Sequence, residues 1–338
     1  MDVREAVPLS SLTTLKVGGP ASIVVTCESV ADIQAALALS RERGLPFYVL
    51  GSGSNVLAPD EGYKGVIILI RTEGVTFTEE GSGVVVTAAA GVSWDALVTI
   101  VAERGLWGVE NLAGIPGTVG AAPIQNIGAY GAELAGTLQY VDVLDAVTGE
   151  AKRLSKEECT LGYRDSRFKH EPTLVVTSVT LLLSKEGTPK IEYKDLLALQ
   201  AKGVDLSTPV AIGTAVREVR KGKFPDLATT GTAGSFFKNP ILMPEQYEAL
   251  KGRFGDIPSF PNPNGVKIPL AFVLDRVLSL RGYRMGPAWL FGSQPLVLAL
   301  EPGGTASDVE SLAQHVEANV QDAIGVSIER EVRSMPKQ

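Results

Sequence analysis

The run NLAGIPGTVGAAPIQNIGAYG (Asn111–Gly131) is the part of the sequence best suited to bind an anionic ligand. Glycine is frequent in it, and it carries no charged side chain. Glycine permits positive φ and close approach of the backbone to a ligand, while Pro116 and Pro123 restrict the path of the chain. A neutral backbone rich in N–H groups suits a pyrophosphate, whose oxygens need donors and little side-chain bulk. The alternative is a series of tight turns between strands.

A second glycine-rich loop comes directly after the apolar run FYVL (Phe47–Leu50). Its residues are Gly51, Ser52, Gly53, Ser54 and Asn55. The loop is not the Rossmann fingerprint, because Val56 stands in the place of the third glycine and no helical pattern follows. Two glycine loops after apolar strands indicate a dinucleotide, without saying which one.

Two clusters of charge are further candidates. The first is GYRDSRFKH (Gly162–His170), and the second is VREVRKGKFPD (Val216–Asp226). Either could be solvated surface, as a charged turn or as cations at a helix C-terminus. Alternatively, a guanidinium such as that of Arg164 can bind a carboxylate bidentately, and a basic helix end can bind a pyrophosphate.

Ser235 in AGSFFKNP and a glutamate in IEREVR could also take part in chemistry. A serine beside a glycine is usually a turn or cap residue. In a strand, Glu329 and Glu331 would lie on one face because side chains alternate. His170 and His315 are the only histidines, and no G-x-S-x-G motif is present, which argues against a Ser-His hydrolase.

Length and composition narrow the class of protein. The 338 residues allow two or three domains, and a net charge of −7 argues against nucleic-acid and anionic-membrane partners. Cys27 and Cys159 lie far apart without metal-type spacing, so neither a disulfide framework nor a metal site is expected. The N-terminal residues lack an apolar signal region. We therefore expect a soluble, cytoplasmic protein.

The elements that must position these residues follow from hydrophobic periodicity and capping signals. Strands are predicted at 22–26, 47–50, 66–70, 84–88, 140–144, 174–183 and 296–300, and a last strand at VSIEREV (326–332). Helices are predicted to start after Ser29, Ser93 and Ser155, at Thr208–Pro209 and after Ser307, with others near 244–251 and 270–280. The helix after Ser93 leads directly into the central glycine run.

Five motifs occur in a fixed order: LGSGSN, GIPGTVGAAPIQNIGAYG, GYRDSRFK, GSFFKNP and EREVR. In these motifs the chain resembles the UDP-N-acetylenolpyruvoylglucosamine reductase family. The resemblance implies an α+β fold with a bipartite FAD-binding domain of the p-cresol methylhydroxylase and vanillyl-alcohol oxidase type, plus a separate α+β substrate-binding domain. The expected segments are 1–68 and 69–204 for the two FAD-binding subdomains, 205–325 for the substrate-binding domain, and 326–338 for a C-terminal strand with the catalytic glutamate.

The resemblance also implies a reaction in two halves. NADPH reduces FAD, and the reduced flavin then reduces UDP-N-acetylglucosamine enolpyruvate to UDP-N-acetylmuramate, a peptidoglycan precursor. By resemblance, Arg164 and Glu331 stabilise the developing charge and Ser235 protonates the substrate. Glu331 is preferred to Glu329 because the family places its glutamate immediately before the Val-Arg pair.

The remaining site residues are also implied by resemblance. The expected FAD contacts are Gly51, Ser52, Gly53, Ser54, Asn55, Gly114, Ile115, Pro116, Gly117, Thr118, Gly120, Ala121, Gln125, Asn126, Gly128 and Ala129. The expected substrate contacts are Tyr130, Tyr193, Arg220, Lys223, Asn239 and Gln294. FAD is expected to bind non-covalently because neither glycine loop contains histidine or cysteine, and the protein is expected to be monomeric. One departure from the family is Thr13-Thr14 in place of Asn-Thr, which leaves the hydrogen bonding of that turn in question.

Two other functions remain open at this point. A flavin oxidase of the same superfamily would share the architecture, but many such enzymes tether FAD through a histidine or cysteine near their glycine loops. A non-catalytic UDP-sugar-binding protein would be expected to lack Ser235 or Glu331, and both are present.

Overall fold

A computed structural model describes residues 1–336 of the chain. The chain divides into two compact units, each with its own apolar core. Unit 1 comprises Met1–Val7, Ala21–Ser52 and Lys64–Lys221. Unit 2 comprises Pro8–Pro20, Gly53–Tyr63 and the chain from Gly222 onward.

The helices are α1 (Val30–Arg43), α2 (Trp94–Glu103), α3 (Arg167–His170), α4 (Lys194–Ala201), α5 (Pro209–Lys223), α6 (Pro244–Phe254), α7 (Leu270–Phe272) and α8 (Ala306–Ile324). The strands are β1 (Asp2–Pro8), β2 (Pro20–Cys27), β3 (Phe47–Leu50), β4 (Val56–Leu57), β5 (Tyr63–Ile70), β6 (Val75–Glu80), β7 (Gly83–Ala89), β8 (Gly128–Ala129), β9 (Ala132–Glu133), β10 (Leu138–Asp145), β11 (Ala151–Ser155), β12 (Leu174–Ser184), β13 (Gly231–Ser235), β14 (Ile241–Leu242), β15 (Phe260–Asn262), β16 (Gly265–Lys267), β17 (Arg284–Met285), β18 (Ala288–Leu290), β19 (Val297–Leu300) and β20 (Arg333–Ser334).

Unit 1 is built on two sheets. One has the order β1-β2-β5-β3, with β3 and β5 parallel, and the other is antiparallel with the order β11-β10-β12-β7-β6. Strand β5 is apolar along almost its whole length, and nearly all of it is buried. A continuous apolar run of this kind is typical of a strand that is covered on both faces.

Helices α1 and α2 of unit 1 begin where their capping residues predict. Ser29 and Asp32 form a capping box at the start of α1, and Gly44 ends that helix with a left-handed φ of 62°. Helix α2 follows Ser93 and buries Trp94, whose indole N–H donates a hydrogen bond of 3.0 Å to the Leu112 carbonyl. Helix α2 is thereby fixed to the first part of the central glycine run.

Unit 2 contains the antiparallel sheet β13-β19-β18-β17 and helix α8. The predicted apolar stripe of α8 is buried, but the helix begins two residues earlier than predicted. Its capping box is formed by Thr305 and Asp308, not by Ser307 and Glu310. Both pairs have the spacing of a capping box, and the side chain of Glu310 instead binds Arg330.

Two predicted helices are shorter than expected. The one after Ser155 is a single turn: Ser155 and Glu158 exchange the two hydrogen bonds of a capping box, but Thr160 has a φ of 45° and the turn ends there. The helix predicted near 270–280 consists of α7 and a π-helical turn at Val273–Val277.

The last predicted strand, 326–332, is wrong as a continuous strand. Its backbone pairing is one bridge between Phe237 and Arg330, and β20 then pairs in parallel with β4. The ladder is interrupted because the N–H groups of Glu331 and Val332 both point to the Phe236 carbonyl, at 2.8 and 3.4 Å. Lys337 and Gln338, also placed in the expected C-terminal strand, lie outside the described residues.

The two compact units divide the chain at positions other than the expected domain bounds. Helix α5 buries Ile212 and Val216 in the core of unit 1, so unit 1 extends to Lys221. The division into segments 1–68, 69–204, 205–325 and 326–338 stays a prediction about domains.

Candidate active site

The central glycine run (Asn111–Gly131) forms three 3-10 turns and the β8–β9 hairpin, against the loop that precedes α2. The Val119 N–H donates to the Val92 carbonyl and the Gly120 N–H to the Ala90 carbonyl, each at 2.8 Å. A Cβ added to Gly120 would lie 2.6 Å from the Ala90 Cβ, so only glycine fits there. The run is a shaped loop, as its glycine and proline content predicts.

Gly51, the first residue of the first glycine loop, meets the central run within unit 1. A Cβ on Gly51 would lie 2.5 Å from Oγ1 of Thr118, and the Gly51 carbonyl accepts a hydrogen bond of 2.9 Å from Arg71. Two loops that the sequence separates by more than fifty positions are therefore adjacent at Gly51 and Thr118.

Helix α5 is fixed to the central run at Gly114. Nε of Arg220 donates to the Gly114 carbonyl at 2.9 Å, and the Gly114 N–H donates to Asp95 at 2.6 Å. The same carboxylate accepts from Arg217 at 2.9 Å. Asp95 was not predicted as a site residue, and a carboxylate in the first turn of a helix gave no signal beyond its fit to the helix dipole.

Three of the expected substrate contacts lie together in unit 1. The rings of Tyr130 and Tyr193 pack edge to face with centroids 5.4 Å apart. Burial raises the pKa of Tyr130 to about 12, although the charge of Arg220 opposes that shift. Burial also lowers the pKa of Arg220. The Tyr130 phenol therefore stays protonated at neutral pH and can donate a hydrogen bond to an anionic ligand beside a cation.

The charged segment Gly162–Lys169 docks on the central run through three hydrogen bonds. Nη2 of Arg164 donates to the Gly128 carbonyl at 2.5 Å, and the Ser166 hydroxyl donates to the Ile124 carbonyl at 2.6 Å. Nδ2 of Asn126 donates to the Gly162 carbonyl at 3.0 Å. The segment is therefore not a free solvated turn, which the charge cluster alone would have favoured.

The backbone of Arg164 is held in an unusual conformation. Its φ is 53°, in the left-handed region, and Nζ of Lys169 donates to its carbonyl at 2.6 Å. Residues with strained backbone persist where the surroundings over-determine them, often at functional sites. Lys169 was not predicted as a site residue, because a lysine among other charges is not distinctive.

The side chain of Asn126 makes hydrogen bonds that stabilise the conformation of the central run. Its buried side chain donates to Glu133 as well as to Gly162, and its oxygen accepts from the Ala135 N–H at 3.0 Å. Its φ of 43° is one that asparagine tolerates better than most residues. A contact of Asn126 with FAD stays a prediction.

In unit 2, the backbone of Glu331 is hydrogen-bonded to Phe236, the residue that follows Ser235. Ser235 ends β13 opposite Val297, and the carbonyl of the next residue, Phe236, accepts the Glu331 N–H at 2.8 Å. Glu329 is exposed and pairs with Lys238 at 2.7 Å. This arrangement supports Glu331 rather than Glu329 as the glutamate of the site.

The other end of the first glycine loop holds the segment that carries Glu331. Nδ2 of Asn55 donates to the Glu331 carbonyl, and the Asn55 carbonyl accepts from the Arg333 N–H, both at 3.2 Å. Asn55 thus has a structural role that the expected FAD contact did not include.

The Thr13-Thr14 turn makes its hydrogen bonds without the asparagine that is usual in the family. The Thr14 N–H donates to the Gly53 carbonyl at 3.1 Å, and its hydroxyl donates to the Thr232 carbonyl at 2.7 Å. The Thr13 hydroxyl donates to the Val17 carbonyl at 3.2 Å.

The remaining expected substrate residues, Asn239, Gln294 and Lys223, belong to unit 2. Oδ1 of Asn239 accepts the Leu270 N–H at 2.9 Å, which fixes the start of α7. The Gln294 carbonyl accepts from the N–H of Val297, the residue opposite Ser235. Lys223 is the last residue of α5.

The residues present fit FAD. Neither glycine loop contains a carboxylate, and their donors include backbone N–H groups and the hydroxyls of Ser52, Ser54 and Thr118. Such donors suit the anionic pyrophosphate. Within residues 1–336, no group of His, Cys, Asp and Glu side chains is arranged to hold a metal ion, and no helix combines the length and apolarity needed to cross a membrane.

Comparisons with known families and proteins agree with this assembly. An FAD binding domain family matches residues 21–155, and the C-terminal domain of UDP-N-acetylenolpyruvoylglucosamine reductase matches residues 226–335. Two proteins named UDP-N-acetylenolpyruvoylglucosamine reductase are similar over nearly the whole chain. The one from Photobacterium profundum is 38% identical over 99% of this chain and 96% of its own, and the one from Chromobacterium violaceum is 39% identical over 98% of each.

Solved structures show the same fold. The UDP-N-acetylenolpyruvylglucosamine reductase (MurB) from Thermus caldophilus aligns with a TM-score of 0.69 at 28% identity, over 99% of this chain and all of that one. The 6-hydroxy-D-nicotine oxidase from Arthrobacter nicotinovorans aligns with a TM-score of 0.51 at 15% identity, over 91% of this chain and 81% of that one. The predicted α+β fold with an FAD-binding domain is confirmed. The chain belongs to the UDP-N-acetylenolpyruvoylglucosamine reductase family.

Proposed function

We propose that this protein uses NADPH and non-covalently bound FAD to reduce UDP-N-acetylglucosamine enolpyruvate to UDP-N-acetylmuramate, in the synthesis of peptidoglycan precursors. It is an oxidoreductase that acts on a CH–CH bond. The observation that supports the proposal is the hydrogen bond between the Phe236 carbonyl and the Glu331 N–H, because it holds the backbone of Glu331 against the residue that follows Ser235. Family membership over nearly the full chain supports the same reaction.

Bound FAD supplies the redox chemistry, taking electrons from NADPH and passing them to the enolpyruvyl double bond. In the second half-reaction, the residues of the protein stabilise the developing charge and supply one proton. Reduction of the double bond pushes electron density towards the substrate's carboxylate, where the Arg164 guanidinium and Glu331 act on the charge distribution. Ser235 delivers the proton to the adjacent carbon, which accepts protons slowly unless a donor is held in place.

The substrate's nucleotide and pyrophosphate are bound by residues that take no part in charge stabilisation or proton transfer. The neighbouring Tyr130, Tyr193 and Arg220 suit an anion that also presents an apolar face, because they combine two rings, a protonated phenol and a cation. Lys223 adds a second cation for the pyrophosphate, and Asn239 and Gln294 complete the contacts. We further propose that the protein is a cytoplasmic monomer.

The function is tested by following NADPH absorbance with the purified protein. We expect a yellow protein that NADPH bleaches under anaerobic conditions and that regains its colour when UDP-N-acetylglucosamine enolpyruvate is added. Heat or acid should release all the flavin into the supernatant, since neither loop offers a histidine or cysteine for a covalent bond. A bleached protein that the substrate fails to reoxidise would contradict the proposed reaction, and flavin retained on the precipitate would contradict non-covalent binding.

Replacing Lys223 with alanine should weaken substrate binding selectively. We expect KM for the enolpyruvyl substrate to rise roughly ten-fold or more, because a charge-assisted contact to the pyrophosphate is lost. Flavin content should stay the same. Lys221→Ala, at the same helix end, is the matched control and should change KM less. An unaltered KM in Lys223→Ala would mean that this lysine is only part of a solvated basic cap.

A further inference from the structure

The side chain of Arg330, immediately before Glu331, is bound by two carboxylates of helix α8. Its Nε and Nη2 donate to Glu317 at 2.6 and 3.0 Å, and its Nη1 and Nη2 donate to Glu310 at 2.7 and 3.0 Å. One guanidinium thus makes two bidentate pairs, the geometry that arginine provides and lysine cannot. The hydrogen bonds that Arg330 donates to Glu317, together with those it donates to Glu310, raise the pKa of its guanidinium.

The backbone of Glu331 is hydrogen-bonded on both sides, because the Phe236 carbonyl accepts its N–H and Nδ2 of Asn55 donates to its carbonyl. The segment pairs with the chain after β13 at one bridge, Phe237 to Arg330, and the regular ladder stops at Glu331. Arg330 is bonded directly to Glu331 in the chain. Anchoring the Arg330 side chain therefore adds a restraint on the rotation of the backbone from which the Glu331 carboxylate extends.

We propose that Arg330 is a positioning residue for the reductase reaction: bound by Glu310 and Glu317, it fixes the rotation of the terminal segment and so the direction of the Glu331 carboxylate. The guanidinium also lies 5.8 Å from the centroid of the Phe236 ring, and Phe236 is the residue whose carbonyl accepts the Glu331 N–H. The guanidinium of Arg330 is therefore hydrogen-bonded to α8 and also lies near the ring of Phe236. This inference rests on the catalytic role proposed for Glu331.

A general contribution to stability is the alternative explanation, and it predicts a different result. Exposed ion pairs typically contribute little, while removing one partner from a partly buried network leaves the other charges uncompensated. Such a loss would lower the melting temperature and affect every activity of unit 2 alike. A positioning role affects only the step that uses Glu331.

The experiment separates the two half-reactions by stopped-flow in the FAD-loaded protein. For Arg330→Met we expect normal flavin reduction by NADPH and reoxidation by the enolpyruvyl substrate slowed about 10- to 100-fold, the size of effect that follows a misplacement of about 1 Å. Arg330→Lys should recover part of the rate, because it keeps the charge but not both bidentate pairs. The matched control is Arg284→Met, which removes another arginine of unit 2 that is paired with a glutamate, Glu301 at 2.7 Å. It should leave both half-reactions normal.

The double variant Arg330→Met/Glu331→Gln decides between the explanations. If Arg330 acts through Glu331, the double variant reoxidises no more slowly than Glu331→Gln alone, whereas independent effects would multiply. Multiplied losses, or an Arg330→Met protein as fast as Arg284→Met, would overturn the inference while leaving the role of Glu331 intact. Normal reoxidation in Glu331→Gln would instead overturn the proposed role of Glu331, and the positioning role with it. If Arg330→Met does not fold, Glu310→Gln/Glu317→Gln breaks both bidentate pairs while keeping the arginine itself and should show the same selective slowing.

Discussion

Ser235→Ala is expected to bleach normally with NADPH but to reoxidise with the enolpyruvyl substrate about 10²–10⁴-fold more slowly, the range typical of losing a positioned acid. Reduction of FAD by NADPH needs no proton on the sugar substrate, so the serine has no part in that half. Reoxidation does need a proton, at a carbon. Stopped-flow absorbance of the flavin measures the two halves separately.

A second substitution at the same position distinguishes a proton donor from a structural residue. Ser235→Cys keeps a transferable proton at nearly the same place and should recover part of the lost rate. Ser235 ends β13, opposite Val297, so the alternative is that it stabilises the end of this strand. If both half-reactions slowed equally in Ser235→Ala, the serine would be holding the strand end, and the proton-donor role would be wrong.

Arg164→Met should slow reoxidation by about 10²–10³-fold, the cost of removing a preorganised group that acts on developing charge. Methionine keeps much of the side-chain volume but supplies no charge and no hydrogen bond. The measurement is again the reoxidation rate, accompanied by the ratio of flavin to protein.

Arg164 has a structural alternative, because its guanidinium also holds the Gly128 carbonyl of the central run. If that contact were its main role, Arg164→Met would lose FAD and both half-reactions would fall together. Arg153→Met is the matched control. It removes a surface arginine of the same unit, paired bidentately with Asp142, and should change neither rate nor flavin content.

Local signals in the sequence predicted much of the fold. The capping residues Ser29 and Ser93 start their helices where expected, and the apolar run at 66–70 is buried as predicted. The signals failed where two local interpretations compete. At α8 two pairs have capping-box spacing; Thr305 and Asp308 form the box, while Glu310 binds Arg330 from another part of the chain.

The site residues were predicted less completely than the helices and strands, because some of them act through contacts between distant parts of the chain. Gly51 and Thr118 could be proposed as ligand contacts from their motifs, but their mutual contact depends on the packing of unit 1. Asp95 and Lys169 were not predicted, since each acts by binding a backbone group: the Gly114 N–H and the Arg164 carbonyl. Sequence patterns report what a residue does locally, and these two residues act through contacts that only the fold creates.

The hydrogen bond from Asn55 to the Glu331 carbonyl also bears on how the protein is made. It joins residues 276 positions apart, and unit 2 is assembled from three separate stretches of chain. During synthesis, unit 1 is complete once Lys221 has left the ribosome, but the partner of Asn55 is still to come. At about 5–20 residues per second, the residues from 222 to 333 take on the order of ten seconds to translate, and closing so long a loop carries an entropic cost. The nascent chain therefore contains all of unit 1 for seconds before the carboxylate that the proposed reaction needs can reach its place, so catalysis can begin only after Glu331 has been synthesised.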